Sequence, residues 1–404
     1  MNAVQLLKSP LQTPAPIEKT AKPLPGRVRL MAFVLDGQSE AALNTCISNL
    51  SVSSVTIRRG GIDKAIKYLG VERSPETVIV DISGSEMPAS QVHQLAELCE
   101  PGVTVVAIGD RNDVGLYRDL MLAGVAEYIV KPVTTQLLAK VLSSTQRTVE
   151  GSPISRKLGK VVAAVGARGG VGTTTLATNL AWYLANRQNR RVLLLDLDLQ
   201  TGDCALALNL EPTPGLREAL SNPARIDNVF LERSVAIHSD RLFVLSAEEP
   251  LRANGEFTAE AVETLVGVLR RQFHYIIADV PRIPAPAFTR ALDIADIRVI
   301  VADQTLRSVR DTIRLRDTLR ESNAAHRDLL VVNRSGEGGR LAMTLDEMAK
   351  VQLRPEAVIP FRPKLFSAPG LARNNALTET IAALAAEISG RKPEKNRWWR
   401  RFGK

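Results

Sequence analysis

Cysteine is scarce in this chain of 404 residues: Cys46, Cys99 and Cys204 are too few and too far apart for a disulfide framework or a metal-binding spacing. Their scarcity agrees with a reducing compartment. No apolar run approaches the roughly 20 residues that would cross a bilayer, and the amino terminus lacks the basic-then-apolar order of a secretory signal. Together these absences predict a cytoplasmic protein. Excess positive charge is also rarer than the total implies, because of a net charge of +9 the segment Arg391 to Lys404 holds seven basic and one acidic side chains, a net +6. Specific nucleic acid is therefore not expected as a partner.

What remains is an ordinary globular composition, 45% hydrophobic and 24% charged, with a length that suits two or three domains. Residues 1–26 hold five prolines and little periodicity, and read as a flexible leader. From 27 to 143, short apolar runs alternate with helical patterns. Runs at Val28–Leu35, Val55–Ile57, Thr77–Ile82, Val103–Ile108 and Glu127–Val130 read as strands, and the stretches after them as helices. Five β-α repeats in so short a stretch predict a doubly wound parallel sheet, with functional groups at the carboxyl ends of the strands. Polar residues with a Gly-Ser-Pro break form a linker at 144–158.

The second domain, 159–390, opens on strand, glycine-rich loop, helix. Val161 to Val165 leads into Gly166-Ala167-Arg168-Gly169-Gly170-Val171-Gly172-Thr173-Thr174-Thr175, followed by the small and apolar Leu176 to Ala185. Closely spaced glycines let consecutive N–H groups converge, and the helix amino terminus adds its dipole, so the loop suits a phosphate chain. Thr174 stands where such a loop keeps the hydroxyl that ligates Mg²⁺, whereas Thr173 stands where the lysine would be. The nearest cation is Arg168. Downstream, Arg191 to Asp203 is an apolar strand ending in Asp196, Asp198 and Asp203, and His274 to Val280 is another ending in Asp279. Acids there can hold Mg²⁺ or orient an attacking water. The stretch Leu206–Leu220 reads as a loop, Thr258–Gln272 and Ser308–Glu321 as helices, Val299–Asp303 and Asp328–Arg334 as strands, and Thr378–Ser389 as the closing helix.

These residues carry a resemblance. Arg-Gly-Gly-Val-Gly-Thr-Thr-Thr resembles the deviant Walker A loop of the ParA/MinD ATPases, with Arg168 in the place of a signature lysine that reaches across a dimer. The form with threonine in place of the second lysine is similar to the TadZ/CpaE branch, the assembly proteins of Flp (tight adherence) pili. By that resemblance the cofactors are ATP and Mg²⁺. Gly169, Gly170, Val171, Gly172, Thr173, Thr174 and Thr175 hold the nucleotide; Thr174, Asp196 and Asp279 surround the metal; Asp198 positions water and Arg168 acts in catalysis. Asn333 matches an adenine-contacting asparagine, beside the alternative of a turn-forming one.

The front domain resembles the receiver domain of response regulators. Asp81 matches its phospho-acceptor and Lys131 the lysine that contacts the phosphoryl group, although only Asp36 stands for the usual acidic pair and Gly109 for the Ser/Thr switch. A dimerising or partner-binding domain is the competing reading. The fold class expected is therefore α/β with two doubly wound parallel-sheet domains, the first receiver-like (flavodoxin-like) and the second a ParA/MinD-type P-loop NTPase. The resemblance implies an ATP-dependent homodimer with weak or no hydrolysis that marks a cell pole or other site, peripheral to the inner membrane, and recruits pilus secretion-system proteins. A DNA-partition ATPase and a phosphorelay response regulator are the alternatives. The tail 391–404, cations among three aromatics, suits an anionic membrane surface, and equally a partner pocket, nucleic acid or a solvated tail.

Overall fold

The computed structural model describes residues 28–50, 54–147, 158–226, 228–250, 257–322, 326–337, 342–361 and 376–390. The expected leader, most of the expected linker and the basic tail lie outside these residues.

The front unit runs β1 (Leu30–Val34), α1 (Gly37–Leu50), β2 (Val55–Arg59), α2 (Ile62–Leu69), β3 (Thr77–Asp81), α3 (Pro88–Leu98), β4 (Thr104–Gly109), α4 (Val114–Leu122), β5 (Glu127–Val130) and α5 (Thr135–Arg147). Its strands pair in the order β2-β1-β3-β4-β5, all parallel. The strand period of two decides what covers each face. Leu30, Ala32 and Val34 point to the core under α1 and α5, with Leu43, Cys46 and Leu138. Met31 and Phe33 point to the opposite core under α2, α3 and α4, with Ala65, Leu95 and Leu120. Both faces are buried, which is why these strands read as continuous apolar runs.

The second unit continues with β6 (Lys160–Gly166), α6 (Thr173–Asn186), β7 (Val192–Asp196), α7 (Cys204–Ala207), α8 (Gly215–Ser221), α9 (Asn228–Ser234), β8 (Ala236–Ile237), β9 (Leu242–Leu245), α10 (Ala259–Leu269) and β10 (Tyr275–Val280). It closes with α11 (Pro286–Asp293), β11 (Ile297–Ala302), α12 (Leu306–Ser322), β12 (Arg327–Ser335), α13 (Leu345–Lys350), β13 (Ala357–Pro360) and α14 (Ala376–Ser389). The sheet order is β13-β12-β11-β6-β10-β7-β9-β8, parallel except for the short edge strand β8. Leu176, Leu180 and Leu184 of α6 and Ile381 and Leu384 of α14 cover one face. Helices α8 to α13 cover the other through Leu216, Leu265, Ala291, Val309 and Met348.

Two expectations are corrected. The stretch 206–220 is not wholly loop: Leu216, Ala219 and Leu220 are buried on α8, a spacing of three and four that packs one helical face into the core. The turn residues Pro212, Pro214 and Gly215 masked that signal, because Pro214 caps the helix. The expected linker also begins in helix rather than loop, since α5 continues to Arg147.

The two units meet where helices of the first end and strands of the second begin. Arg190, just before β7, donates from Nη1 to the Glu97 carbonyl at 2.6 Å in the last turn of α3, and Arg241 donates to the Val71 carbonyl beyond α2. His274, just before β10, accepts from the Arg191 N–H at Nδ1 (3.1 Å), so its other nitrogen carries the proton and donates to the Cys99 carbonyl at 3.1 Å. Burial, and then the Arg190 charge, push the His274 pKa down to about 3, so this joint stays neutral at the imidazole. Carbonyls at helix ends lack intrahelical partners and carry partial negative charge, which these cations complement. Replacing Arg190 and Arg241 together by alanine is expected to split one calorimetric unfolding transition into two; a single transition in the double variant would show that the joint is not held by these contacts.

Candidate functional site

The nucleotide-type site forms where β6 ends. Gly170 and Gly172 take φ of +77° and +91°, the left-handed region that glycine enters without steric cost. A Cβ on Gly170 would meet open space, whereas one on Gly172 would lie 2.4 Å from Asn333 Nδ2. The loop is stitched to its neighbours. Ala167 N–H donates to the Val301 carbonyl at 2.8 Å, and Asn333 Nδ2 donates to the Val171 carbonyl at 2.7 Å. Helix α6 starts at Thr173 and aims its first turn at a cavity of about 720 Å³. That volume suits a nucleotide-sized ligand.

The predicted residues gather here. Arg168, the three loop glycines, Thr173, Thr174, Thr175, Asp198, Asp279 and Asn333 all line the cavity. Val171 does not present its side chain there: it is fully buried in the core under α6, and only its backbone belongs to the loop. Asp196 lies behind the wall, 1% exposed, with its carboxylate accepting from the N–H groups of Asp198 and Cys204, each at 3.1 Å. Gly202 permits this packing, because a Cβ there would sit 2.4 Å from Asp196 Oδ2. Asp198 is held at the end of β7 by Thr201, whose N–H (2.9 Å) and hydroxyl (2.6 Å) donate to its two oxygens.

The acids are poised for a cation. Burial, and then the charge of Asp279, push the Asp196 pKa up to about 7. Burial likewise raises Asp279 to about 6, against hydrogen bonds from Thr174 and Cys204 that lower it. Two carboxyl groups whose ionised forms are disfavoured by burial, and by neighbouring carboxylates, gain most from a bound divalent ion. One oxygen from each and the Cys204 sulfur lie within 4.8 Å of one another, a cluster that fits a cation.

Asn333 is committed in a way that sequence does not reveal. One N–H goes to Val171, and its oxygen accepts from the Arg334 N–H at 2.9 Å, so the amide braces the loop from β12. Three cavity-lining cations are each paired with a carboxylate: Arg168 with Asp303 at 2.6 Å, Arg282 with Asp311 at 3.4 Å and Arg334 with Glu337 at 3.4 Å. Cys204 and Asp303 were not singled out by sequence as members of the site. For Asp303 the signal existed, since an apolar strand ending in an acid is the same pattern that marks Asp279.

The front domain brings Asp81, Lys131 and Asp36 together. Lys131 Nζ lies 2.6 Å from Asp36 and 2.7 Å from Asp81, and these carboxylates hold its pKa above the ordinary value against burial, which lowers it. Asp81 is fully buried and also accepts from the N–H groups of Leu35 (3.1 Å) and Ser83 (3.0 Å). Asp36 caps α1 through Ser39 N–H at 2.7 Å, and the Lys131 hydrogen bond, followed by that cap, draws its pKa down to about 2. At Gly109 a Cβ would lie 2.4 Å from the Tyr128 hydroxyl, so the tyrosine fills the position of the expected switch side chain.

Among the described residues, no helix is long and apolar enough to cross a membrane. Residues 159–331 match the family model described as an AAA domain, AAA_31. The chain is 29% identical over 179 residues to the septum site-determining protein MinD of Synechocystis sp., covering 44% of this chain and 65% of that protein. It thus spans just under two thirds of that relative's length. The crystal structure of a ParA family ATPase from Chlorobium tepidum aligns with a TM-score of 0.50 and 25% identity, over 56% of this chain and 98% of that one. A putative CpaE2 pilus assembly protein from Sinorhizobium meliloti is 30% identical with a TM-score of 0.28, covering 29% of this chain and 99% of its own. Residues 159–331 are thus similar to an AAA domain, and the second unit has the α/β fold with a parallel sheet of its ParA/MinD-type P-loop NTPase neighbour.

Proposed function

We propose that this chain binds ATP and Mg²⁺, dimerises on the bound nucleotide with weak or no hydrolysis, and serves Flp (tight adherence) pilus assembly by marking a cellular site and recruiting the secretion apparatus. The observation that carries the reading is a complete phosphate cradle whose lysine position holds Thr173 and whose one loop cation, Arg168, is tied to Asp303. Backbone N–H groups and the α6 dipole suffice to hold phosphates. Transfer needs more, because charge that develops on the moving phosphoryl group is normally met by a fixed cation. The cradle therefore favours binding over turnover.

In this reading Thr174 and Asp279 hold the metal, Asp196 supports it from behind, and Asp198, fixed by Thr201, orients water. Mg²⁺ supplies charge neutralisation of the β- and γ-phosphates. The Gly-Gly-Val-Gly-Thr-Thr-Thr loop behind a front domain with receiver order supports the pilus branch. That front domain acts as a dimerising or partner platform. Lys131 already offsets both acids of its pocket, which leaves Asp81 little reason to take a phosphoryl group. The cytoplasmic protein is held at a pole or at the inner membrane, with 391–404 as its anionic-surface contact.

Light scattering during gel filtration tests the dimer: doubling of mass in ATP and Mg²⁺, absent in ADP, is expected. A mass unchanged by ATP would remove the nucleotide switch from the reading. Loss of surface pili on deleting the gene, with polar foci of a fluorescent fusion, tests the pilus assignment; normal piliation would refute it.

A further inference from the structure

The loop cation is not offered to the phosphate site. Arg168 Nη2 and Nε lie 2.6 and 3.0 Å from the same oxygen, Asp303 Oδ2. The two partners differ in freedom. The Asp303 side chain is 6% exposed, and its other oxygen accepts from the Thr305 N–H (3.0 Å) and hydroxyl (2.6 Å), while its own N–H donates to the Ser308 hydroxyl at 3.0 Å. The Arg168 side chain is 37% exposed and lines the cavity. Asp303 is a fixed post and Arg168 the arm that can leave it.

A triphosphate offers guanidinium several anionic oxygens in place of one carboxylate, and arginine engages such groups in bidentate fashion. We propose that Asp303 is a positioning residue that parks Arg168 away from the phosphate site, and that the phosphate chain of the nucleotide competes with Asp303 for that guanidinium. The inference rests on the nucleotide-binding reading and adds to it a latch that weakens ATP binding. Arg282 and Arg334 are held less closely, at 3.4 Å, and neither stands on the loop itself. The latch therefore belongs to Arg168.

The test is a double-mutant cycle on the full chain, titrated calorimetrically with ATP and Mg²⁺. Asp303→Asn keeps an acceptor for Thr305 but removes the charge, and is expected to tighten ATP binding about fivefold. Arg168→Ala is expected to weaken it about tenfold, and the double variant to bind within about twofold of Arg168→Ala. AMP, which lacks the β- and γ-phosphates, should bind wild type and Asp303→Asn alike, whereas a merely structural role for Asp303 would change both nucleotides together. Asp303→Glu restores the charge and should return the affinity toward wild type.

ATP affinity unchanged or weakened in a folded Asp303→Asn variant overturns the latch, as does the same gain in the Arg168→Ala background. Should Asp303→Asn fail to fold, Asp303→Glu and Arg168→Ala still decide it: a folded Arg168→Ala variant with wild-type affinity leaves no cation to be parked. Absence of ATP binding in the wild type sinks both readings. Binding without the predicted cycle sinks only this one.

Discussion

Gly172→Val is expected to lower ATP affinity at least about 100-fold, read by calorimetric titration, while the circular dichroism spectrum stays native. Two separate physical effects act at this residue. Its φ of +91° is open to glycine, and a β-branched side chain held there costs about 2 kcal/mol or more. Its Cβ would also fall 2.4 Å from Asn333 Nδ2, so the valine must expel the amide that holds the Val171 carbonyl. The loop then loses both its turn and its brace, and the N–H groups no longer converge. The core under α6 is untouched, so the second domain should still fold. Gly170→Ala provides the contrast: φ is +77° but the space is open, so only the backbone cost of about 1 kcal/mol applies and a smaller loss is expected. Affinity within threefold of wild type in Gly172→Val would mean that phosphates are not held by this loop.

Acid is expected to be the second strong lever. Asp196 and Asp279 bind protons more tightly in the folded chain, at about 7 and about 6, than at their ordinary value of 3.8. Burial that disfavours the ions therefore costs nothing while both groups are protonated, and the cost grows as pH rises from about 4 through about 7. Without nucleotide, the melting temperature should fall across that window by several degrees. A bound divalent cation reverses the sign, since it replaces the protons and stabilises the ionised pair. ATP and Mg²⁺ should raise the melting temperature far more at pH 8 than at pH 5.5, with affinity lost on the order of 10- to 100-fold toward acid. A variant with Asp196→Asn and Asp279→Asn supplies the baseline for the protonation of ATP itself. It should be more stable than wild type at pH 8 without nucleotide, and should lack the steep pH dependence. Parallel profiles in the two proteins would show that these carboxyls do not hold the metal.

Most of the site was legible because it is local. The phosphate loop is one stretch of ten residues, and β7 and β10 announce their acids by ending apolar runs. The parallel, doubly wound character of the sheets followed from buried runs that alternate with helices. What sequence hid was either long-range or disguised by turn residues. Arg168 and Asp303 lie 135 positions apart and Asn333 and Val171 162 apart, and no spacing rule joins them. Helix α11 begins at Pro286 after Pro281 and Pro284, and a run of prolines reads as loop although proline suits a helix's first turn. Helix α13 was missed as well, although Thr344 with Glu347 three residues on forms a capping box in the structure. Cys204 looked incidental because a single cysteine has no pattern; only the fold brings it to Asp196 and Asp279.

The joint between the domains has one more consequence. Arg190 and His274 grip the front domain at the amino-terminal ends of β7 and β10, and the same two strands deliver Asp196 and Asp279 at their other ends. Five residues of strand put roughly 16 Å between grip and acid. Among the described residues, the front unit's contacts thus fall at the strand ends opposite the phosphate mouth, and an approach to that mouth need not break them.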